Sequence, residues 1–411
     1  MSKTLLFLAS NWPEPASSAA GARTLQLLDL FLEDGWDITL MTAAEKRPHS
    51  ALLPESVTAL PLKLNSEAMD PVFKRIAPDL VWFDRFMLEE QYGWRIAAAC
   101  PKAKRLLDTI DLHSLREIRK TALHQHREPD ISDWFCDTAM RELASIYRSD
   151  LSLLISDAEE EILTQELDLA KRLLHVTPFL LTPEEQLLSG TLPGFTQREH
   201  FITIGNFRHP PNADSVRVLY EEIWPELSVR CPEAELHVYG ADLTPALQEL
   251  HQPNKRFHIK GRAEDAIQVF STARVCLAPL RFGAGLKGKL LDAMRAGTPS
   301  VTSAIGAEGM QGAFDWPGAV EDDPKAFVNA AAELYENQMT WDTAQGKIEP
   351  LLVGRFNKQT HGPLFIKRIH ELLKAPRNSS ADQLTGALLQ HHQHRSTEYM
   401  SRWIEEKNRR G

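Results

Sequence analysis

Short apolar runs that alternate with helical patterns constrain the fold of this chain more than any other feature. Residues 5–9 form an apolar run typical of a buried strand, and residues 22–33 follow with leucines at helical spacing. Gly35 then ends the predicted helix. Because repeated β-α units favour parallel strands with helices on both faces, the sequence predicts a mostly parallel sheet. The other strands predicted in this half are residues 37–41, 57–62, 80–83, 105–109, 151–155 and 174–179.

The alternation breaks once, between residues 181 and 197, and then starts again. Pro183, Gly190, Pro193 and Gly194 are typical of a loop, so we interpret this stretch as a linker. Because 411 residues are many for one core, the sequence predicts two tandem doubly wound, Rossmann-like α/β domains with a ligand cleft between them. The strands predicted in the second half are residues 201–205, 235–239, 257–260, 275–280 and 299–303.

The predicted domain boundaries follow from this break and from a change after Phe356. Beyond that residue the chain becomes helical and increasingly polar, which favours a helical C-terminal segment and tail. The predicted units are an N-terminal domain at 1–182, a linker at 183–198, a second domain at 199–356 and the C-terminal segment at 357–411.

Residues 281–309 carry the clearest indication of chemistry. Gly283, Gly285 and Gly288 allow backbone N–H groups to approach a ligand closely, and they lead into a predicted short helix. The first turn of a helix leaves N–H groups unpaired, which suits an anion, and Lys287 and Lys289 add positive charge there. Gly297 and Pro299 then end the helix. This pattern predicts a phosphorylated ligand at the mouth of an α/β sheet.

Composition and charge exclude several other classes of protein. A net charge of −10 argues against nucleic acid as the main partner. The four cysteines are widely spaced, without the pairs of a zinc site or a disulfide framework, so a reducing cytoplasm fits best. The apolar run at 5–9 is too short for a secretory signal, and no run approaches the ~18 apolar residues of a membrane span. We expect a cytoplasmic protein, with peripheral contact at the inner face of the membrane left open.

Several motifs together resemble one enzyme family. They are Gly-Ala-Gly-Leu-Lys-Gly-Lys-Leu-Leu-Asp-Ala-Met at 283–294, Gly-Thr-Pro at 297–299, Ile-Gly-Ala-Glu-Gly at 305–309, Gly-Asn-Phe at 205–207 with His209 and Asp214, and Ile-Trp-Pro at 223–225. With two tandem domains and a glycine loop after the first strand, the chain is similar to GT-B glycosyltransferases of group 1, family 4. The similarity covers about residues 3–355. In that family the second domain holds a nucleotide-sugar and the first holds the acceptor.

The resemblance implies roles for individual residues. Asp292 takes the place of a family glutamate that bonds the donor ribose, and the sequence predicts Asp292 on one helix face with Gly288 and Gly285. His113 and Lys287 are the catalytic candidates, and Asp111 and Arg116 lie on the acceptor side. The residues alone leave ordinary surface lysines, a surface carboxylate and a helix-capping His113 as alternatives. The donor diphosphate and sugar candidates are Gly21, Arg208, Gly283, Ala284, Gly285, Leu286, Lys287 and Lys289.

One position departs from the family. The usual motif has two glutamates, and the first, which contacts the transferred sugar, falls at Ala284. Its loss leaves the backbone amides of residues 283–286 as the expected sugar-binding groups. Asn206 likewise stands where a basic residue is common, so Arg208 or Lys287 is expected to supply that charge.

Two further clusters leave alternatives open. Arg116, Arg119, Lys120 and Arg127 form either a solvated helix face or a contact for an anionic acceptor, such as a lipid-linked phosphate. The histidines at 391, 392 and 394 have no paired carboxylates, so no metal site is predicted there. The resemblance also implies a reaction without metal or cofactor.

The sequence therefore predicts a retaining, hexosyltransferase-type enzyme. It would move a sugar from a nucleotide-diphosphate sugar to a glycan, lipid-linked or protein acceptor, in the synthesis of a cell-envelope polysaccharide or another glycoconjugate. Two alternatives remain: a sugar-nucleotide epimerase or hydrolase of the same fold, and a catalytically degenerate partner subunit, which Ala284 favours.

Overall fold

Two parallel β-sheets organise the computed structural model, which describes residues 2–186, 192–376 and 380–410. The first sheet has the strand order β3-β2-β1-β4-β5-β6-β7 and the second β10-β9-β8-β11-β12-β13. Strands of the first sheet are β1 Lys3–Ala9, β2 Trp36–Thr42, β3 Val57–Pro61, β4 Leu80–Asp84, β5 Lys104–Asp108, β6 Leu151–Leu154 and β7 Leu174–Val176. Those of the second are β8 Glu199–Asn206, β9 Leu236–Ala241, β10 Phe257–Gly261, β11 Ala273–Ala278, β12 Ser300–Thr302 and β13 Gly318–Val320.

Helices connect the strands and continue after the second sheet. In the first domain they are α1 Ala19–Glu33, α2 Met69–Ile76, α3 Phe86–Ala99, α4 His113–His124, α5 Asp137–Arg148 and α6 Asp157–Glu161, and α7 Pro183–Gln186 follows. In the second domain they are α8 Pro210–Val218, α9 Trp224–Arg230, α10 Pro245–Gln248, α11 Ala266–Thr272, α12 Gly288–Arg295, α13 Ala304–Ala307, α14 Pro324–Glu336, α15 Gln338–Gly346 and α16 Ile348–Phe356. The last three are α17 Lys358–Lys374, α18 Ala381–Leu389 and α19 Arg395–Arg410.

Alternation along β1 shows why the first sheet is buried on both faces. Leu6 and Leu8 belong to one apolar cluster, whereas Leu5 and Phe7 belong to another on the opposite side. Because successive side chains of a strand point to opposite faces, an uninterrupted apolar strand needs a cover on each side. Helices supply both covers, as the sequence predicts.

The C-terminal helices return to the first domain. Phe365 of α17 packs edge-on against Phe31 of α1, with ring centroids 5.4 Å apart, and contributes to the first-domain core. His394, which follows α18, is buried, and its Nε2 lies 3.2 Å from Oε1 of Glu89 in α3. The same carboxylate pairs with Arg148 of α5. His394 is therefore part of a buried ion-pair cluster that attaches the tail.

The predicted fold class is confirmed, and some local predictions are wrong. Helix α1 begins three residues before the predicted start, because Ser18 caps it by accepting a hydrogen bond from the Gly21 N–H. The stretch interpreted as a loop contains the short helix α7, and residues 187–191 of the predicted linker lie outside the described residues. Strand β13 is only three residues long and carries no apolar run that the sequence would reveal. Among the described helices, none is long and apolar enough to cross a membrane.

Candidate functional site

The loop between β11 and α12 lies at the carboxyl end of the second sheet. Helix α12 begins at Gly288, and no side chain caps its first turn. The Leu290 N–H donates to the Lys287 carbonyl oxygen at 2.9 Å, which leaves the N–H groups of Gly288 and Lys289 without an intrahelical partner. The helix dipole makes this end partially positive. Gly285 lies before the helix with φ +61°, so the prediction that it shares a helix face with Asp292 is wrong.

Two helix N-termini from different domains meet beside this loop. Ala19 is the first residue of α1, and a Cβ added to Gly288 would lie 2.4 Å from the Ala19 Cβ. Glycine is needed at position 288 because no side chain fits between the two helices. The meeting places two partially positive helix ends next to each other at the domain boundary.

Two lysines add full charge to the loop. Lys287 is buried, its Nζ donates a hydrogen bond to the Gly285 carbonyl oxygen at 2.6 Å, and burial lowers its pKa to about 8. Burial also lowers the pKa of Lys289 to about 8, and its ammonium group makes no ion pair among the described residues. An unpaired, desolvated ammonium group is a strong attractor for an anion.

His209 marks the point where positive charges from both domains converge. It follows β8 and precedes α8, and burial lowers its pKa to about 3, assisted by the charges of Arg116, Lys289 and Lys287. The imidazole is therefore neutral among cations. The sequence matched His209 to the family without assigning it a role; its position just after the end of a parallel strand is the signal that indicates a ligand contact.

The acceptor-side candidates lie at the start of α4. Arg116 pairs with Asp111, and the Nε2 of His113 lies 3.7 Å from Oδ1 of Asp111. The His113 ring packs edge-on against Phe86 with centroids 5.6 Å apart. Burial and then the charge of Arg85 lower the pKa of His113 to about 4, so this side chain is neutral at pH 7.

Buried Glu142 fixes the orientation of α4. Its carboxylate accepts hydrogen bonds from the backbone N–H groups of His113 at 3.0 Å and Ser114 at 2.9 Å. It therefore takes the part of a cap at the helix N-terminus. A cavity of about 280 Å³ opens beside this helix and is lined by both domains: His113, Arg116, Glu117, Lys120, Thr138, Pro210 and Phe282.

Glu159 connects the first domain to the glycine loop, and sequence reasoning missed it. Its Oε1 accepts hydrogen bonds from the backbone N–H of Leu112 at 2.8 Å and of Gly285 at 3.0 Å. Burial raises the pKa of Glu159 to about 7. Of the four amides expected to face the sugar, the one at Gly285 is thus engaged by a carboxylate. A single glutamate in an acidic helical run gave no signal of this role.

Ala284, the departure from the family motif, is buried within the apolar cluster of the first domain. Its methyl group packs at the boundary between the domains. Leu286 packs near Gly309, since a Cβ at Gly309 would approach its Cδ2 to 3.1 Å. The side chains of Ala284 and Leu286 therefore pack the glycine loop against the residues around it. The polar groups that the loop offers to a ligand are its backbone atoms and the two lysines.

Arg119 forms a second connection between the domains. Its guanidinium donates to both oxygens of Glu308, at 2.7 and 2.6 Å, and to the Gly283 carbonyl oxygen at 2.9 Å. The sequence offered a solvated face or an acceptor contact for this arginine. In the structure the Arg119 side chain instead reaches from the first domain to the second, where it binds the start of the glycine loop.

The remaining candidates lie around this centre. Asp292 is half-buried on the second turn of α12, 3.5 Å from Arg295, and burial raises its pKa to about 6. Gly21 lies in the first turn of α1, where a Cβ would collide with the backbone of Glu14. Arg208 is exposed and pairs with Asp242 at 3.1 Å. The structure therefore places four of the candidates near one another: Lys287, Lys289, His113 and Arg116. Gly21 instead packs against Glu14, and Arg208 pairs with Asp242.

Comparison with known proteins shows which family and which solved structures this chain is similar to. Residues 198–337, about a third of the chain, match the family described as Glycosyl transferases group 1. Sucrose-phosphate synthase from Thermosynechococcus elongatus superposes with a TM-score of 0.68 at 16% sequence identity, covering 91% of this chain and 100% of that one. The chain has the GT-B fold, and its second domain carries the match to this glycosyltransferase family.

Two other solved structures share the fold of this chain. Anabaena HepE in complex with UDP and glucose has a TM-score of 0.61 at 13% identity, covering 90% of this chain and 100% of that one. WaaG, a glycosyltransferase involved in lipopolysaccharide biosynthesis, has a TM-score of 0.60 at 12% identity, covering 88% and 98%. No curated protein sequence matches this chain. The family match falls on the domain that carries Lys287 and Asp292.

Proposed function

We propose that this protein is a glycosyltransferase, and that it moves a sugar from a nucleotide-diphosphate sugar to an acceptor hydroxyl with retention of anomeric configuration. The observation that carries the proposal is the buried Lys287 directly before the start of α12, at the place where Ala19 of α1 meets Gly288. The uncapped start of α12 lies at the same place. Positive charge and free backbone donors at one point suit a diphosphate, whose negative charge grows as it leaves.

Stabilisation of the departing diphosphate is the main task of these groups. Burial of Lys287 and Lys289 means that their charges act in a medium that screens them weakly. Preorganised donors in such a site contribute roughly 3–4 kcal/mol each to the transition state. The neutral imidazole of His209 would add a hydrogen bond to the same ligand without further charge.

Asp292 would fix the nucleoside part of the donor. It lies four residues after Gly288 on α12, so it projects from the same side of the helix one turn beyond the diphosphate position. A carboxylate there can accept hydrogen bonds from two ribose hydroxyls. The UDP and glucose held by HepE, which has the same fold, support this class of donor.

Retention follows if acceptor and leaving group occupy the same face of the sugar. The bond from the anomeric carbon to the diphosphate oxygen breaks, the bond to the acceptor oxygen forms, and the acceptor proton passes to the departing phosphate. This path needs no protein nucleophile. The neutral His113, at the edge of the cavity of about 280 Å³, would bond the sugar or orient the acceptor hydroxyl.

Contacts between the domains support closure around the substrates. The Arg119–Glu308 bond joins the domains beside the loop and would help to exclude water during transfer. The Glu159–Gly285 bond would open on donor binding, which frees the Gly285 amide for the ligand. Closure thus couples donor binding to assembly of the site.

The acceptor is proposed to be a glycan, a lipid-linked saccharide or a protein, in the synthesis of an envelope polysaccharide or glycoconjugate. Lys120 and Arg116 line the cavity and would suit an anionic acceptor. The sharing of this fold with WaaG supports such a pathway. We place the enzyme in the cytoplasm, at the inner membrane surface when the acceptor is lipid-linked; its four free cysteines support a reducing compartment.

A panel of sugar nucleotides tests the proposal. Purified protein is incubated with each donor, with and without candidate acceptors, and released nucleotide and products are measured. Acceptor-dependent transfer with the anomeric configuration of the donor supports it. An epimerised or hydrolysed donor without transfer would indicate the second enzyme class. Absence of donor binding in calorimetry would indicate a partner subunit that has lost catalysis, the alternative that Ala284 favours.

A further inference from the structure

Three side chains with metal-binding atoms meet at the amino ends of β9 and β10, on the sheet edge opposite the glycine loop. His237 and His258 are partners in the parallel register of these strands, and Glu235 lies two residues before His237 on the same face. One ligand atom from each side chain lies within 4.8 Å of the other two. The separation of the strands, about 4.8 Å, brings the two imidazoles together without any loop.

The hydrogen bonds within this group are incomplete. The Glu235 Oε2 lies 2.7 Å from the His237 Nε2, where it is hydrogen-bonded, and 3.4 Å from the His258 Nε2. The His258 Nε2 is buried and has no hydrogen-bond partner among the described residues. A buried polar atom without a partner costs about 1–3 kcal/mol. This nitrogen faces a carboxylate and a second imidazole, so it is available to bind a metal ion together with them.

We propose that Glu235, His237 and His258 form a binding site for a divalent transition-metal ion, with Zn²⁺ the best fit. Zinc takes imidazole nitrogen and carboxylate oxygen at about 2.0–2.2 Å, and ligand atoms on a tetrahedral ion lie about 3.3 Å apart. The 3.4 Å separation meets this value, and the 2.7 Å separation reaches it by a small side-chain rotation. Water completes the fourth position. Two nitrogen ligands disfavour Mg²⁺ and Ca²⁺, which prefer oxygen.

Neighbouring histidines are not needed as ligands. The His251 Nδ1 accepts a hydrogen bond from the Ile259 N–H at 3.0 Å, so it is engaged by the backbone. His200 stacks on His237 with ring centroids 4.0 Å apart, which limits the ways the ligand ring can turn. The site would attach the edge strand β10 to β9, since β10 is bonded to the sheet on one side only. It is separate from the proposed transfer reaction.

Metal titration of the full chain tests this site. Protein freed of metal with a chelator is titrated with Zn²⁺ in a calorimeter, and its thermal midpoint is followed with Zn²⁺ and with Mg²⁺. We expect one zinc per chain, a midpoint that rises with zinc concentration but not with magnesium, and a loss of affinity of more than about 100-fold in His258→Ala. Glu235→Gln should also weaken zinc binding. Because this substitution hardly changes the size of the side chain, its effect on affinity is not explained by a folding defect of the kind that His258→Ala can cause.

A matched control separates this site from other histidines. The double variant His391→Ala/His392→Ala removes an exposed histidine pair whose ring centroids are 4.9 Å apart. It should bind zinc like the unmodified protein. Equal zinc affinity in His258→Ala, loss of binding in the control alone, or no zinc binding at micromolar concentration would each overturn the proposal.

Discussion

The Oε1 atom of Glu159 lies 3.0 Å from the backbone nitrogen of Gly285, across the boundary between the two domains. The same oxygen accepts a hydrogen bond from Leu112, so one buried carboxylate holds the start of α4 and the glycine loop together. Its other oxygen is buried without a partner. The ionised form is therefore poorly compensated, and burial raises the pKa of Glu159 to about 7.

The pH dependence of stability should reveal this group. Because the pKa of Glu159 rises from 4.5 to about 7 on folding, the folded form binds more protons between these values. The contribution of Glu159 to the free energy of unfolding is complete below about pH 4.5 and is lost as the pH rises through 7. The change amounts to about 3 kcal/mol. Scanning calorimetry should show the thermal midpoint of the unmodified protein falling over this interval more steeply than that of Glu159→Gln. Glu161→Gln, at an exposed neighbouring position, is the control; equal slopes in all three would contradict the assignment.

Restoring the family carboxylate at position 284 should reduce activity. Ala284 is buried in the first-domain cluster, so Ala284→Glu would place a carboxylate among apolar side chains and next to Glu159. Burying an uncompensated charge costs several kcal/mol. We expect a lower kcat/KM and weaker domain closure, measured by steady-state kinetics and small-angle scattering, while Ala284→Ser should be close to normal. A gain in activity in Ala284→Glu would show that the loop leaves its present position when donor binds.

Removal of the buried lysine tests the diphosphate role. Lys287→Ala should cost about 2–4 kcal/mol of transition-state stabilisation, a loss of roughly 30- to 1,000-fold in kcat/KM. Lys325→Ala removes an exposed lysine of the same domain and should change nothing. Full activity in Lys287→Ala would remove this residue from the mechanism, and a thermal midpoint measured in parallel distinguishes a folding defect.

Substitution of Asp292 should act on donor binding. Asp292→Asn keeps the size of the side chain but weakens its hydrogen bonds to ribose hydroxyls, and we expect a loss of about 10-fold or more in affinity for a nucleoside diphosphate. Asp292→Glu, the family residue, should bind nearly as well as the original. Calorimetry with the nucleoside diphosphate measures both, and Asp342→Asn on α15 is an exposed control. An unchanged affinity in Asp292→Asn would indicate that Asp292 is an ordinary surface carboxylate with no role in binding ribose.

Periodicity predicted the framework of this fold because most core strands contain a continuous apolar run. Strand β1 illustrates the reason: Leu5, Leu6, Phe7 and Leu8 are all buried, so the local pattern and the final structure agree. Strand β13 shows the limit, since its three residues pair with β12 through backbone bonds that any sequence can make. Glycine positions also predicted the loop before α12.

The contacts between the domains could not be predicted from the sequence. Glu159 and Gly285 are 126 residues apart, and neither residue type indicates the other. Arg119 looked like one cation of a solvated helix face, and only the folded chain brings Glu308 to it. His209 became informative once the charges around it were known. Local patterns determine elements, whereas pairing of polar groups between domains depends on the packing of the whole chain.

Helix α17 has a consequence for the order in which this chain acquires structure during synthesis. Phe365, Ile369 and Leu372 complete a cluster whose other buried members all lie within the first 180 residues. A ribosome releases the second domain before these residues, and the cluster that contains Phe201 and Trp341 lies entirely within residues 195–344. The domain made first therefore stays unfinished until the one made second can fold, the reverse of the usual vectorial sequence. A nascent chain halted near residue 350 should expose apolar surface on α1 and attract chaperones.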